Sequence, residues 1–224
     1  VLVAAIIALV VVAFRGNEVS PLETLQTQAV ALGETERGHI ELRVDNFDRN
    51  LTSAVGAPSA VQSIVFDGFD YDMWVRFLDA EGQQVDKRWA DRENRLIGGE
   101  YFSRNGGETR QWNSGEFVSE LFFVTPLVRR MSPTGLSQVI GGAIDIEVVS
   151  ETDAAVELEG LVRRGDMVLL DVDFLFEDRD VDADPDELLA ARFRLSDRRL
   201  DSIEFESRFS RPQGTTLTYT IASS

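Results

Sequence analysis

Residues 39–45 read His-Ile-Glu-Leu-Arg-Val-Asp, and in them Ile40, Leu42 and Val44 alternate strictly with Glu41, Arg43 and Asp45. An extended chain points successive side chains to opposite faces, so this period of two marks a strand with one face buried. The pattern recurs downstream. Phe69, Tyr71, Met73, Val75 and Phe77 share one face of a longer run, with Asp70, Asp72 and Arg76 on the other. Asp79-Ala80-Glu81-Gly82 then reads as a turn into Gln83–Trp89, which predicts a hairpin. Phe117–Val124 predicts a further strand, closed by Pro126.

Beyond a looser connection over 127–142, marked by Pro133, Gly135 and Gly141-Gly142, alternation resumes at Ile144, Ile146 and Val148 and again at Val156, Leu158 and Val162. Arg163-Arg164-Gly165-Asp166 reads as a turn into Val168, Leu170, Val172, Phe174 and Phe176. Phe193 and Leu195, Ile203 and Phe205, and Leu217, Tyr219 and Ile221 complete the series, with Asp197-Arg198-Arg199 as a turn. Short strands joined by turns, without long helical patterns between them, predict an antiparallel β-sandwich, as one large or two tandem sheets. The expected organisation is an anchor over 1–15, a linker with a short helix over 16–36, a first β unit over 37–126, the connection over 127–142, and a second unit or continuation over 143–224. The Phe-Leu-Asp-Ala-Glu-Gly hairpin at 77–82 is similar in pattern to immunoglobulin-like modules. That resemblance implies a sandwich and carries no functional residue.

Upstream of the strands the signal is different. Val1-Leu2-Val3-Ala4-Ala5-Ile6-Ile7-Ala8-Leu9-Val10-Val11-Val12-Ala13-Phe14 is unbroken apolar sequence, and Arg15 ends it. As a helix it spans about 21 Å, against ~30 Å for a bilayer core. The expectation is a transmembrane anchor, carried by Val1, Leu2, Ile6, Ile7, Leu9 and Phe14 and made short by packing in a complex. The run also has the length of a signal-peptide core, with Val11-Val12-Ala13 as a cleavage signal. Ser20-Pro21-Leu22-Glu23 then carries a helix start, and Leu22, Leu25, Ala29 and Leu32 recur at helical spacing up to Gly33. This predicts a short amphipathic helix whose apolar stripe lies on the bilayer surface or docks on the β-body, docking being the more frequent case.

Composition narrows function chiefly by exclusion. The net charge of −17, from 39 acidic against 22 basic residues, opposes nucleic acid and anionic lipid surfaces. Cysteine is absent, which removes thiolate metal sites and disulfides. With His39 as the one histidine and no G-x-S-x-G elbow, no nucleophile–base set is legible, and the chain reads as non-enzymatic without a cofactor. The acids Asp178, Asp180, Asp182 and Asp184 alternate as calcium ligands do, although Ala183 and Leu189 stand where a calcium-loop template has Gly and Glu. Asn50-Leu51-Thr52 matches a glycosylation sequon. Trp74, Trp89 and Trp112 offer interface aromatics.

These readings converge on a membrane-anchored accessory or scaffold subunit, single-pass, with its bulk on the periplasmic or extracellular side. Its expected partners are integral membrane proteins of a larger complex or copies of itself, with the bilayer reached through the N-terminal helix and no nucleic acid. A pilin-like filament subunit is the alternative, opposed by Ala5 where bacterial pilins carry Glu. A calcium- or glycan-binding surface module is the second.

Overall fold

The computed structural model describes residues 19–45, 57–85, 92–98, 100–105, 112–114, 128–172, 184–206 and 215–222. The apolar run Val1–Phe14, the strand expected over Phe117–Val124 and most of the acidic stretch at 177–187 lie outside them. Among the described residues no helix is long and apolar enough to cross a membrane.

The chain is mainly β. Strands β1 (Arg37–Asp45), β2 (Ser59–Asp67), β3 (Asp70–Leu78), β4 (Arg92–Ile97), β5 (Glu100–Asn105) and β6 (Asn113–Ser114) follow helix α1 (Pro21–Gly33). Helix α2 (Pro133–Gly141) precedes β7 (Ile144–Glu151), β8 (Ala155–Arg163), β9 (Leu188–Ser196), β10 (Arg199–Glu206) and β11 (Thr216–Ala222). All are antiparallel neighbours in one eleven-stranded sheet, ordered β6-β5-β4-β3-β2-β1-β11-β10-β9-β8-β7. The expected sandwich, and with it the immunoglobulin-like packing, is therefore replaced by a single sheet whose buried face is covered by helices. Alternation reports that one face is buried; it does not report whether a second sheet or a helix covers it.

One rung shows how the core is built. Val148, Leu158, Phe193, Ile203, Tyr219, Leu42, Gln62 and Val75 stand opposite one another across eight neighbouring strands, all on the inner face. Leu158, Phe193, Ile203, Tyr219 and Leu42 are buried, whereas Val148 on the edge strand is 47% exposed. The outer face carries the complementary charges. Arg192 reaches Glu159 at 2.7 Å and Glu204 at 3.5 Å, and Arg194 lies 3.6 Å from Asp201.

Helix α1 forms as its sequence demands. The Ser20 hydroxyl accepts from the Glu23 amide at 3.1 Å, Pro21 opens the first turn, and Leu25, Ala29 and Leu32 are buried against α2, β10 and β7. Leu22, the first member of the expected stripe, stays 39% exposed. Helix α2 occupies the segment expected to be a looser connection. Its Pro133 stands in the first turn after the Ser132 cap, and Leu136, Val139 and Ile140 pack inward.

A second departure concerns Val168 and Leu170, expected in a strand. Residues Arg164–Leu170 form a 3₁₀ helix, in which Met167 and Leu170, one turn apart, are buried while Val168 is exposed. Of the hairpin partner expected at Gln83–Trp89, the described residues show one bridge, Leu78 to Gln84.

Burial this complete makes the central rung sensitive. Phe193→Ala should cost about 3–5 kcal/mol in denaturant unfolding, and Arg192→Ala on the outer face less than ~1 kcal/mol. Equal effects would show that the rung is not the core.

Candidate functional site

Among the described residues the inner face of β2, β3 and β4 is less completely covered than that of β8–β11, and there the structure opens. Ile64, Phe66, Tyr71 and Leu96 form the sheet wall of a cleft of about 390 Å³. Their alternation puts them on the core face, with Ile64 opposite Met73, Phe66 opposite Tyr71, and Tyr71 opposite Leu96. The facing wall is the strap leading into α2, which contributes Val128 and Met131. Two turns hold this strap, from the Met131 amide to the Val128 carbonyl and from the Ser132 amide to the Arg129 carbonyl, both 3.1 Å.

Polar groups lie deeper on the same sheet face, and they are hydrogen-bonded except for the buried Asn94 Nδ2. Gln62 Nε2 donates to Met73 Sδ at 3.3 Å, and the Tyr101 hydroxyl donates to Asn94 Oδ1 at 2.5 Å. Burial pushes the Tyr71 phenol up to about 12, with the nearby Tyr101 adding to the shift. On the strap, burial lowers the Arg130 pKa, and its Nε donates to the Asp171 carbonyl at 3.3 Å. Asp171 adopts φ 53, a left-handed conformation that ends the 3₁₀ helix and presents that carbonyl. The strap is thus tied to the packed half of the molecule.

Two large apolar side chains are exposed on the neighbouring turns. Phe69, 95% exposed, sits in the β2–β3 turn, and Ile97, 52% exposed, sits beside it at the β4–β5 turn. The two turns are linked by the Gly98 amide, which donates to Asp70 Oδ1 at 2.9 Å. A larger groove, about 790 Å³, runs between the start of α1 and the β7–β8 and β9–β10 turns. Its lining is mostly polar, including Ser20, Thr24, Glu151, Asp153 and Arg198. Water solvates such a notch well, so the smaller cleft is the stronger candidate.

The residues singled out in the sequence fall elsewhere. Trp74 lies on the outer face, stacked on His39 with centroids 6.0 Å apart, and the Arg76 guanidinium is 6.0 Å from its ring. Trp112 is held between Arg95 and Arg104, each 4.5 Å from the ring centroid. Those arginines pair in turn with Asp72 and Glu93. Trp89, Asn50, Asp178, Asp180 and Asp182 lie outside the described residues. Asp184 is described, and its carboxylate accepts the Asp186 amide at 2.9 Å, closing a turn. Among the described residues no group of three or more His, Cys, Asp or Glu is placed to hold a metal.

Sequence pattern alone does not single out the cleft residues. Leu96 and the strap residues Val128 and Met131 sit in stretches with no clear period, and Phe66 and Tyr71 resemble ordinary core positions. One signal is present: two arginines between Leu127-Val128 and Met131, immediately before a Ser-Pro helix cap. No protein-family model matches the chain, and no curated protein matches it in sequence.

A pH test follows from Tyr71. Its phenol ionises near 10.0 when unperturbed and near 12 in the fold, so unfolded chains lose the proton first. Its contribution to stability is complete below pH about 10 and is lost as pH rises toward about 12. Urea unfolding across that window should show stability falling with pH, and Tyr71→Phe should make the fall shallower. An unchanged slope would refute burial of the phenol.

Proposed function

We propose that this protein is a non-enzymatic, membrane-tethered binding module that holds an apolar, lipid-like molecule in the cleft between β2–β4 and the 128–134 strap. One observation carries the reading. A cleft of about 390 Å³ with walls of Ile64, Phe66, Tyr71, Leu96, Val128 and Met131 has the size and apolar lining of small-molecule sites. Emptying water from such walls is favourable at roughly 25 cal/mol per Å² of apolar surface covered, without any need for chemistry at the site. Phe69 extends the apolar lining outward, where a chain leaving a bilayer would first make contact.

The apolar run Val1–Phe14 supplies the tether in this reading, as the sequence suggests. It keeps the cleft near lipid and near integral membrane partners, so the accessory-subunit role becomes the setting for the binding activity. The polar residues behind the cleft, Gln62, Asn94 and Tyr101, pair with neighbours on the same sheet and support a holding role.

Photolabelling tests this. The full chain in its membrane, exposed to a long-chain diazirine alcohol, should be labelled mainly within 64–71 and 128–134. Leu96→Trp, which fills the cleft from the sheet side, should reduce that labelling about tenfold or more, equivalent to ~1.4 kcal/mol or more of binding free energy. Labelling scattered over the surface, or indifferent to Leu96→Trp, would overturn the proposal.

A further inference from the structure

Building on the cleft reading, we infer that the ligand carries an anionic head, a carboxylate or a phosphate, which pairs with Arg129 at the mouth. Most polar side chains along the lining are already engaged. Thr35 Oγ1 donates to the Ala31 carbonyl at 2.9 Å, and Thr134 Oγ1 donates to the Gly33 carbonyl at 3.4 Å. Ser132 Oγ accepts the Gly135 amide at 3.1 Å as the cap of α2. Asp70, on the sheet side, uses Oδ1 to hold the β4–β5 turn through the Gly98 amide. Each of these groups has a structural partner.

Arg129 does not. It lines the cleft and is exposed, and among the described residues its guanidinium has no ion pair or hydrogen bond. Its neighbour Arg130 behaves in the opposite way, half-buried and bonded to the Asp171 carbonyl. That anchoring, with the turns at Val128–Met131 and Arg129–Ser132, fixes the backbone from which Arg129 projects. The site therefore offers a cation on a positioned segment, next to an apolar channel and within a protein of net charge −17.

The guanidinium fork suits a planar carboxylate or a phosphate, to which it can donate two parallel hydrogen bonds. Binding sites of this kind take their affinity from apolar walls and their orientation from few polar groups. With the tail in the cleft, a head at Arg129 gains a charge-assisted contact at the edge of a region emptied of water. A neutral head leaves Arg129 solvated and gains nothing from it.

The test uses the full chain in its membrane and two photoprobes of equal length, a long-chain diazirine carboxylic acid and the matching alcohol. Labelling of 64–71 and 128–134 is read as the ratio of acid to alcohol. A ratio of about 5 to 30 is expected, the range that one charge-assisted contact supplies. Arg129→Gln should bring it close to one, and Arg129→Lys should leave an intermediate value. Because both probes are read on the same variant, the ratio does not depend on how much of that variant is folded.

Competition by palmitate and by palmitoyl lysophosphatidate separates a carboxylate head from a phosphate head, and success of either supports the inference. Acetate and inorganic phosphate, which lack a tail, should not compete; if they do, the site binds free anions and the inference fails. Equal labelling by acid and alcohol, or a preference that survives Arg129→Gln, overturns the head-group assignment and leaves the cleft reading intact. Labelling of the cleft by neither probe overturns both.

Discussion

The seam between β1 and β11 is the constraint on which the rest of the structure depends. It runs from His39 opposite Ala222 to Asp45 opposite Thr216, and on its inner side Ile40, Leu42 and Val44 meet Ile221, Tyr219 and Leu217. These pairs join strands far apart in sequence, so closing them carries a loop-entropy cost that local contacts do not. Burial of Leu42, Leu217 and Tyr219 offsets that cost, since all three are almost entirely removed from water. Without the seam the sheet would separate into a meander of β1–β6 and one of β7–β11, with the core cut across its most buried rung. Among the described residues the edges of the joined sheet lie at β6 and β7. The β7 edge shifts register twice and holds Asp145 at φ 53, irregularities that discourage further strand pairing.

How far the sequence discloses this fold depends on whether local pattern and burial coincide. In β1, β9, β10 and β11 apolar residues alternate with polar or charged ones over most of the strand, and the strands are legible. Strand β2, Ser-Ala-Val-Gln-Ser-Ile-Val-Phe-Asp, carries Val61 and Val65 outward and Gln62 inward, so its period is blurred. Strands β4 and β5 are short and polar, and only their register beside β3 identifies them. The α2 segment contains Pro133, Gly135 and Gly141, three residues that usually interrupt structure. Pro133 is a helix starter, however, and Gly135 is required by space. A Cβ there would stand 2.9 Å from Leu170 Cδ2 and 3.1 Å from the Leu169 carbonyl. Both reasons are tertiary or positional, and composition alone cannot express them.

The cleft is less legible than the fold for a related reason. Its walls come from three strands and a strap remote from them in sequence, and each contributes residues that look like core. What distinguishes Ile64, Phe66 and Leu96 from Leu158, Phe193 and Phe205 is the element placed above them, not residue type. The aromatic residues conspicuous in sequence, Trp74 and Trp112, are stacked with His39 and arginines on the outer face. Stacking there uses the same π-faces that would recommend them as contact residues.

The position of the opening follows from how the helices are distributed. Helix α1 lies against α2, β10 and β7, and α2 lies against the 3₁₀ helix, so their apolar stripes are committed to the half of the sheet formed by β7–β11. On the other half the strap at 128–134 faces β2–β4, secured at one end by Arg130 to Asp171 and at the other by the Ser132 cap. Among the described residues Val128 and Met131 face this part of the sheet, with about 390 Å³ between them and it. The closely packed half, among the described residues, is the one under α1 and α2, and function is commonly located in less tightly packed regions. Arg129 stands exposed at the mouth of that space, while Arg130 beside it is held to the Asp171 carbonyl.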